Sequence, residues 1–241
     1  MVLNADAWLD ADFLVAALPC FDDPTTGAVQ GKLLRHNGRT ATGIIDSTGL
    51  VIMRNRRVLG RGQGEPDGDQ FDISDEVFGP DGAAAVYRGA ALDDVALPFG
   101  AKNGPEYFDE AFFAYKEDVD LAWRLRLRGW RTAYVPTAKA WHLRTARETS
   151  SAGLWTLRRE RSELPPVIDA LGFPNHRLAQ LKDDRFTDLL RDILPFATRE
   201  TLAWGERLAR PGAAVAAIRR ISISRAWGPL PTANGSTVIS G

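Results

Sequence analysis

Three groups of side chains in this 241-residue chain have the types and spacing for chemistry. Asn4-Ala5-Asp6 sets two oxygen-bearing side chains two residues apart, just after the apolar start Met1-Val2-Leu3. At the end of a strand such a pair can point toward one cation. Mg²⁺ and Mn²⁺ prefer hard oxygen ligands of this kind, completed by substrate phosphates. By itself an Asn-x-Asp is most often a turn or an Asx cap. Glu117-Asp118-Val119-Asp120 places three carboxylates in the first turn of a predicted helix, with Arg124 one turn on. Capping and the helix dipole account for one or two acids there. Three within four residues repel, and raise one another's pKa unless a cation or Arg124 intervenes. Such a cluster suits a site that holds metal or needs a base. The third group is His142, just beyond a predicted strand, and a lone histidine is more often structural than a ligand. His36 and His176 lie in polar, loop-like contexts and receive no role.

The elements that must position these groups follow from periodicity and turn residues. Residues 1–3 read as the last stub of a buried strand. Residues 10–21 read as a helix with Phe13, Leu14, Ala17 and Leu18 on one face, stopped by Asp22-Asp23-Pro24. Residues 28–34 and 43–53 read as strands. Residues 60–72, rich in Gly, Asp and Gln, read as a flexible loop over a site in preference to a phosphate cradle. No helix start and no Gly-Lys-Ser/Thr pattern accompanies those glycines. A short strand is expected over 82–87, a short helix over 88–95, and a helix over 117–128 closed by Gly129. Residues 131–136 read as a strand, with Trp141-His142 just beyond. From about residue 150 the pattern becomes helical and Arg-rich: 154–171 ending at Gly172, then 186–194 and 201–209, separated by Pro195 and Pro211. The tail 229–241 reads as disordered.

Composition narrows the class. Hydrophobic residues make up 44% and charged residues 25%, enough for a sizeable core. The single cysteine, Cys20, excludes an internal disulfide framework and a cysteine-rich zinc site. A formal net charge of -1 offers no global field for nucleic acid. Basic strings occur at Leu157-Arg158-Arg159-Glu160-Arg161, interleaved with an acid, and at Ile218-Arg219-Arg220, but the near-neutral total argues further against nucleic-acid binding. The charge is uneven: residues 1–143 hold 15 Lys/Arg against 21 Asp/Glu, and residues 144–241 hold 15 against 10. An acidic front suits a cation site. A basic back suits anionic lipid or a partner protein, or is simply a solvated surface. With no apolar run near the roughly 20 residues needed to span a bilayer and no signal-peptide pattern, the chain is expected in the cytoplasm, at most peripheral to a membrane.

One string carries a family resemblance. Phe108-Asp109-Glu110-Ala111-Phe112-Phe113-Ala114-Tyr115-Lys116-Glu117-Asp118-Val119-Asp120-Leu121-Ala122-Trp123-Arg124 resembles the signature of non-processive family 2 glycosyltransferases, the rhamnosyltransferase-like group in particular. Gly129-Trp130-Arg131 and Tyr134-Val135-Pro136 continue it, and His142 falls where the family has its histidine. Asn4-Ala5-Asp6 is similar to a variant of that group's Asp-x-Asp motif, and residues 82–88 to its small-residue strand. The ordered set covers residues 1–145. It implies an α/β fold: part of a GT-A mixed sheet over 1–148, a helical extension over 149–228, and a tail. It also implies site roles. Asp6, with Asn4 and His142, would hold a divalent cation, Mg²⁺ or Mn²⁺, on the diphosphate of a nucleotide-sugar donor. Asp118 would be the catalytic base toward a glycan or lipid-linked acceptor, with Glu117 and Asp120 in substrate binding. The family begins with a βαβ nucleotide-binding unit, whereas only three residues precede Asn4. The expectation is therefore a fragment of an inverting enzyme. The alternative is a non-catalytic remnant that binds a partner through its basic helical tail. The Gln-x-x-Arg-Trp motif of processive synthases is absent.

Overall fold

The computed structural model describes residues 1–98, 104–143, 166–209 and 211–224. Nine strands and seven helices appear among them. The strands are β1 (Val2–Leu3), β2 (Ala7–Leu9), β3 (Thr26–His36), β4 (Ala41–Ser47), β5 (Leu50–Ile52), β6 (Val58–Gly60), β7 (Asp75–Val77), β8 (Ala84–Tyr87) and β9 (Arg131–His142). The helices are α1 (Phe13–Ala17), α2 (Gly89–Val95), α3 (Glu117–Leu127), α4 (Pro166–Asp183), α5 (Phe186–Arg191), α6 (Ile193–Leu208) and α7 (Pro211–Ser224).

Seven strands form one mixed sheet in the order β1-β8-β3-β9-β2, with β4 added beside β3 and β7 beside β9. β3 and β9 run parallel, and every other pairing in this sheet is antiparallel. β5 and β6 make a separate hairpin. Strand alternation sorts the core into two layers. Val29, Leu33, Val135 and Ala140 pack with Phe13 and Ala17 of α1 on one face. Ala28, Ala85 and Tyr87 pack with Ala91 and Val95 of α2 and Leu121 and Leu125 of α3 on the other. The hairpin lies against α3 through Leu50, Val119 and Trp123.

The register of β9 is broken once. Gly31 pairs with Val135, and the next residue, Lys32, pairs with Lys139. The extra β9 residues, starting at Pro136, form a bulge, and Pro has no N–H for a ladder bond there. Gly31 makes room for it. A Cβ at Gly31 would stand 2.2 Å from the Ala138 carbonyl oxygen and 2.5 Å from the Phe13 ring.

Several sequence expectations change. β1 is a two-residue strand with Leu3 exposed rather than buried, because its only described partner is β8. The predicted helix over 10–21 is a short α-helix followed by a 3₁₀ turn at Leu18–Asp22. Pro19 cannot donate the next helical hydrogen bond, and Leu14 and Leu18 face outward. The strand over 43–53 splits into β4 and β5 around Gly49, which has φ +116°. The 60–72 segment is tied down. Buried Lys32 donates to Asp67 and Asp72 at 2.9 and 2.5 Å, and the Tyr134 hydroxyl donates to the Phe71 carbonyl at 2.8 Å. The 131–136 strand runs on through His142.

The extension differs most. α4 runs through Gly172 and Pro174 to Asp183. Buried Phe173 packs on Ala203 and Ala217, and Leu178 and Ala179 pack on Phe112. That packing outweighs the roughly 1 kcal/mol a helical glycine costs. Pro195 sits in the first turn of α6 and Pro211 opens α7, where backbone N–H groups have no helical acceptor. The start of the predicted 154–171 helix and the 229–241 tail lie outside the described residues. No described helix is long and apolar enough to cross a membrane.

Gly31→Ala is expected to destabilise by at least ~1–3 kcal/mol, since the clash is with backbone. Gly172→Ala meets nothing within 4 Å and is expected to stabilise by ~0.5–1 kcal/mol. Urea unfolding of the two variants beside the parent checks both signs.

Candidate active site

The ends of β1 and β9, the turn before β8 and the start of α3 converge on a cavity of about 510 Å³. That is an ordinary size for a small-molecule site. Its wall can be followed as a chain of contacts. The Asn4 N–H donates to the Ala83 carbonyl at 2.9 Å. The neighbouring Gly82 N–H donates to the Asp118 carboxylate at 3.3 Å. Gly82 has no side chain between its backbone and Asp118, and a Cβ there would meet the Asp118 Cβ at 3.4 Å. The buried Gln30 amide oxygen accepts from the Asp81 N–H at 2.6 Å, and the Asp81 carboxylate accepts from the Ala83 N–H at 3.0 Å, which fixes this turn.

At the sheet end, His142 Nε2 lies 3.3 Å from the Asp6 carboxylate and Nδ1 lies 2.8 Å from Asp46. Asp46 is fully buried and also accepts from Arg35 Nε at 3.2 Å. Burial opposes a charged imidazole, but the hydrogen bond and charge of Asp46 and the charge of Asp6 outweigh it and raise the His142 pKa. A carboxylate behind the ring is the usual way to orient a metal-binding histidine and make it more basic. Asp6 is half-buried. A hard carboxylate oxygen and an imidazole nitrogen at one cavity end fit a divalent cation whose remaining positions go to phosphate and water. No group of three or more His, Cys, Asp or Glu among the described residues forms an all-protein cage.

The start of α3 is built under strain. Phe113, Tyr115 and Lys116 have φ of +60°, +66° and +78°. At Phe113, ψ is -56° and the Ala114 N–H donates to the Phe112 carbonyl at 2.7 Å, a γ-turn of the rare positive-φ hand. Non-glycine residues in such conformations cost about 1–3 kcal/mol each and persist only where the surroundings over-determine them. Here the surroundings are α4 and α7. The buried Asn175 amide nitrogen donates to the carbonyls of Phe112, Ala114 and Tyr115, each at 2.8 Å. Arg220 of α7 donates to the Asn175 amide oxygen at 3.0 Å and to the Ala111 and Phe112 carbonyls at 3.2 and 2.9 Å.

This loop delivers Glu117 and Asp118 to the cavity. Burial pushes the Asp118 carboxyl up, Lys116 draws it down, Glu117 pushes it up, and the Val119 and Gly82 N–H groups draw it down; the net direction is upward. Glu117 Oε2 is buried without a hydrogen-bond partner among the described residues.

The structure therefore brings together Asn4, Asp6, Glu117, Asp118 and His142. It does not bring Asp120 to them. Asp120 points away from the cavity and is fully buried in a salt bridge to Arg124 at 2.8 Å. Two residues along a helix turn a side chain by about 200°, which carries Asp120 to the face opposite Asp118. Arg124 in turn donates to the Val95 and Tyr107 carbonyls. Asp183 of α4 sits beside this pair; burial and then the charge of Asp120 push its carboxyl well up. His176, read from sequence as a loop residue, lies buried in α4 and lines the cavity. Asp46 also escaped sequence reading. Its signal was a carboxylate directly after the apolar pair Ile44-Ile45, which needs a partner if buried.

Residues 1–162 match the family described as Glycosyltransferase like family 2, and the chain belongs to that family. Its sheet and helices correspond to a GT-A-like fold with added C-terminal helices. The chain is also similar to proteins of two strains of Mycobacterium tuberculosis named N-acetylglucosaminyl-diphospho-decaprenol L-rhamnosyltransferase. Both are 50% identical over 44 residues, which is 18% of this chain. The match spans 13% of the length of these curated relatives.

Asn175→Leu is expected to lower stability by ~1–3 kcal/mol by leaving buried carbonyls unpaired. It should also speed proteolytic cleavage within residues 112–116. Urea unfolding and mapped limited proteolysis check the two effects. Parent-like cleavage would sever Asn175 from the strained loop.

Proposed function

We propose that this protein is an inverting, non-processive glycosyltransferase. It moves a sugar from a nucleoside-diphosphate sugar to a hydroxyl of a glycan or lipid-linked acceptor in cell-surface glycan synthesis, working in the cytoplasm at the membrane face. The observation that carries this reading is that Asp118 and the Asp6–His142 pair line one cavity from opposite elements.

In the proposed reaction the acceptor oxygen bonds to the anomeric carbon as the bond to the donor diphosphate breaks. The hydroxyl proton passes to the Asp118 carboxylate. A general base works best with a pKa nearer the operating pH than that of a free aspartate, and burial supplies that direction for Asp118. The Gly82 and Val119 N–H groups hold the carboxylate's orientation. Glu117, whose buried oxygen has no hydrogen-bond partner among the described residues, is suited to accept from an acceptor hydroxyl. Asp6 and His142, with Asn4 beside them, would hold a divalent cation, which supplies positive charge for the departing diphosphate. Asp46 keeps the His142 ring turned toward Asp6.

The test is transfer from a panel of UDP-, GDP- and dTDP-sugars with Mn²⁺. Asp118→Asn is expected to reduce turnover by ~10²–10⁴-fold while Mn²⁺-dependent donor binding persists. Asp6→Ala and His142→Ala should instead weaken that binding. The base must be ionised to accept a proton, so activity falls as pH drops through the Asp118 pKa. This acidic limb should lie above the ordinary aspartate value of about 3.9. Glu117→Gln removes a neighbouring negative charge and should move the limb to lower pH. Turnover of Asp118→Asn within a few-fold of the parent would remove Asp118 as the base.

A further inference from the structure

Helix α4 grips the start of α3 from both sides. Asn175, Leu178, Ala179, Lys182 and Asp183 stand at positions i, i+3, i+4, i+7 and i+8, so they share one stripe of α4. Asn175 binds the carbonyls of Phe112, Ala114 and Tyr115, ahead of the acids. Leu178 and Ala179 pack on Phe112. About two turns beyond Asn175, Asp183 lies beside Asp120 and Arg124 of α3. In the chain, Glu117 and Asp118 fall between these two holds.

The second hold lacks a donor. Asp120 and Asp183 are 0% and 2% exposed. Arg124 bonds Asp120 Oδ2 at 2.8 Å and turns its other nitrogens to the Val95 and Tyr107 carbonyls, at 2.6 and 2.7 Å. Lys182 is paired with Asp109, which also accepts from the Ala111 N–H at 2.8 Å. The Lys182 nitrogen stops 3.7 Å from Asp120 Oδ1, too far for a hydrogen bond. Neither oxygen of Asp183, nor Asp120 Oδ1, has a donor among the described residues. Yet the two carboxyl groups stand within hydrogen-bonding reach of each other. Two carboxylates only accept, so they cannot bond each other; a carboxylate and a carboxylic acid can. The seam holds three buried acids, Asp109, Asp120 and Asp183, against two cations, Arg124 and Lys182. Glu106, facing Asp120 and Lys182 from the segment before α3, adds further negative charge. One proton supplies both the missing donor and the missing charge.

We infer that Asp183 is held as a neutral carboxylic acid donating to Asp120, and that this bond makes it a positioning residue for the acids at the start of α3. Arg124 bonds Asp120 and not Asp183, so Asp120 keeps the charge and Asp183 the proton. Burial, and then the charge of Asp120, oppose ionisation of Asp183. The service to Asp118 rests on the reading of that residue as the base of a transferase; the bond itself does not. When Asp183 ionises, two like charges face each other in a buried seam, the bond is lost, and the Asn175 hold alone fixes the loop. Because the folded-state pKa lies above the unfolded one, this contribution to stability is complete below the ordinary aspartate value of about 3.9. It is lost as pH rises through the folded-state Asp183 pKa.

The test compares the full chain with Asp183→Asn, whose amide donates to Asp120 at every pH. Difference infrared spectra at about pH 5, a unit above the ordinary aspartate value, are expected to show one protonated carboxyl band in the parent that the variant lacks. Relative to Asp183→Asn, the folding constant of the parent from urea unfolding should fall about tenfold per pH unit from about pH 4 until Asp183 ionises, then level off. Limited proteolysis within residues 112–116 should quicken over the same range in the parent and stay slow in Asp183→Asn. Asp183→Leu, which has no donor, should be cut fast at every pH. Circular dichroism checks that it is folded, and the Asp183→Asn comparison stands without it. The pH profile of sugar transfer should carry an alkaline limb in the parent that Asp183→Asn removes. A missing carboxyl band, or parallel stability curves for parent and Asp183→Asn, would overturn the protonated pair. Cleavage that does not change across the transition, or an alkaline limb retained in Asp183→Asn, would overturn the positioning role. Spectra, unfolding and cleavage need no turnover, so a chain that titrates as expected but never transfers sugar would defeat the transferase reading alone.

Discussion

The Asn175 side chain holds the acidic edge of the cavity in place. Its amide gathers three carbonyls from a loop in which three of four successive residues, Phe113, Tyr115 and Lys116, occupy unfavourable backbone conformations. Left alone, such a loop would relax toward ordinary turn geometry. Held, it rotates the first turn of α3 so that Glu117 and Asp118 face the cavity while Asp120 turns inward to Arg124. The sheet sets where the site is. Asn175, itself fixed by Arg220, sets which way its acids point.

This dependence gives the helical extension a purpose beyond bulk. α4 touches the sheet domain through Leu178 and Ala179 on Phe112, and through Lys182 paired with Asp109. A second clamp joins the extension to the β5–β6 turn: buried Arg56 bonds Asp184 at 2.7 Å and Asp192 at 2.9 Å. Arg54 and Arg56 hold the Asp192 carboxyl well below the ordinary range. Removing one partner of such a buried cluster leaves uncompensated charge. The extension therefore docks through specific polar contacts around a small apolar seam, and its Ile168, Phe173 and His176 line the cavity.

Much of the sheet domain was legible from sequence. Strands and helices with clean periodicity and a glycine or proline stop, such as β8, α2 and α3 with Gly129, appear where periodicity puts them. The meeting of Asn4, Asp6, Asp118 and His142 was legible only through the family resemblance, which their order and spacing carry in one dimension. The rest depended on partners distant in the chain. Nothing local announces that Asn175 caps a loop some sixty residues earlier, or that Gly172 and Pro174 sit inside a helix sustained by Phe173 and Leu178. Asp120 looked identical to its neighbours until helix rotation was applied to an actual core. Lys32 made the 60–72 segment ordered, yet a lysine in an apolar strand says only that acids must come from somewhere.

The bulge in β9 has a consequence for how this chain tolerates change in length. Between Arg131 and His142 the strand must use its surplus residues opposite Gly31 to return His142 to register beside Arg35 and Ala7. Strand parity is unforgiving: one residue more or fewer turns every later side chain to the other face. An insertion or deletion here would leave the hydrophobic pattern tolerable, since Ala138 and Ala140 are small, yet would swing the imidazole away from both Asp6 and Asp46. The stretch from Pro136 to His142 thus behaves as a ruler, whose length carries information that none of its individual residues does.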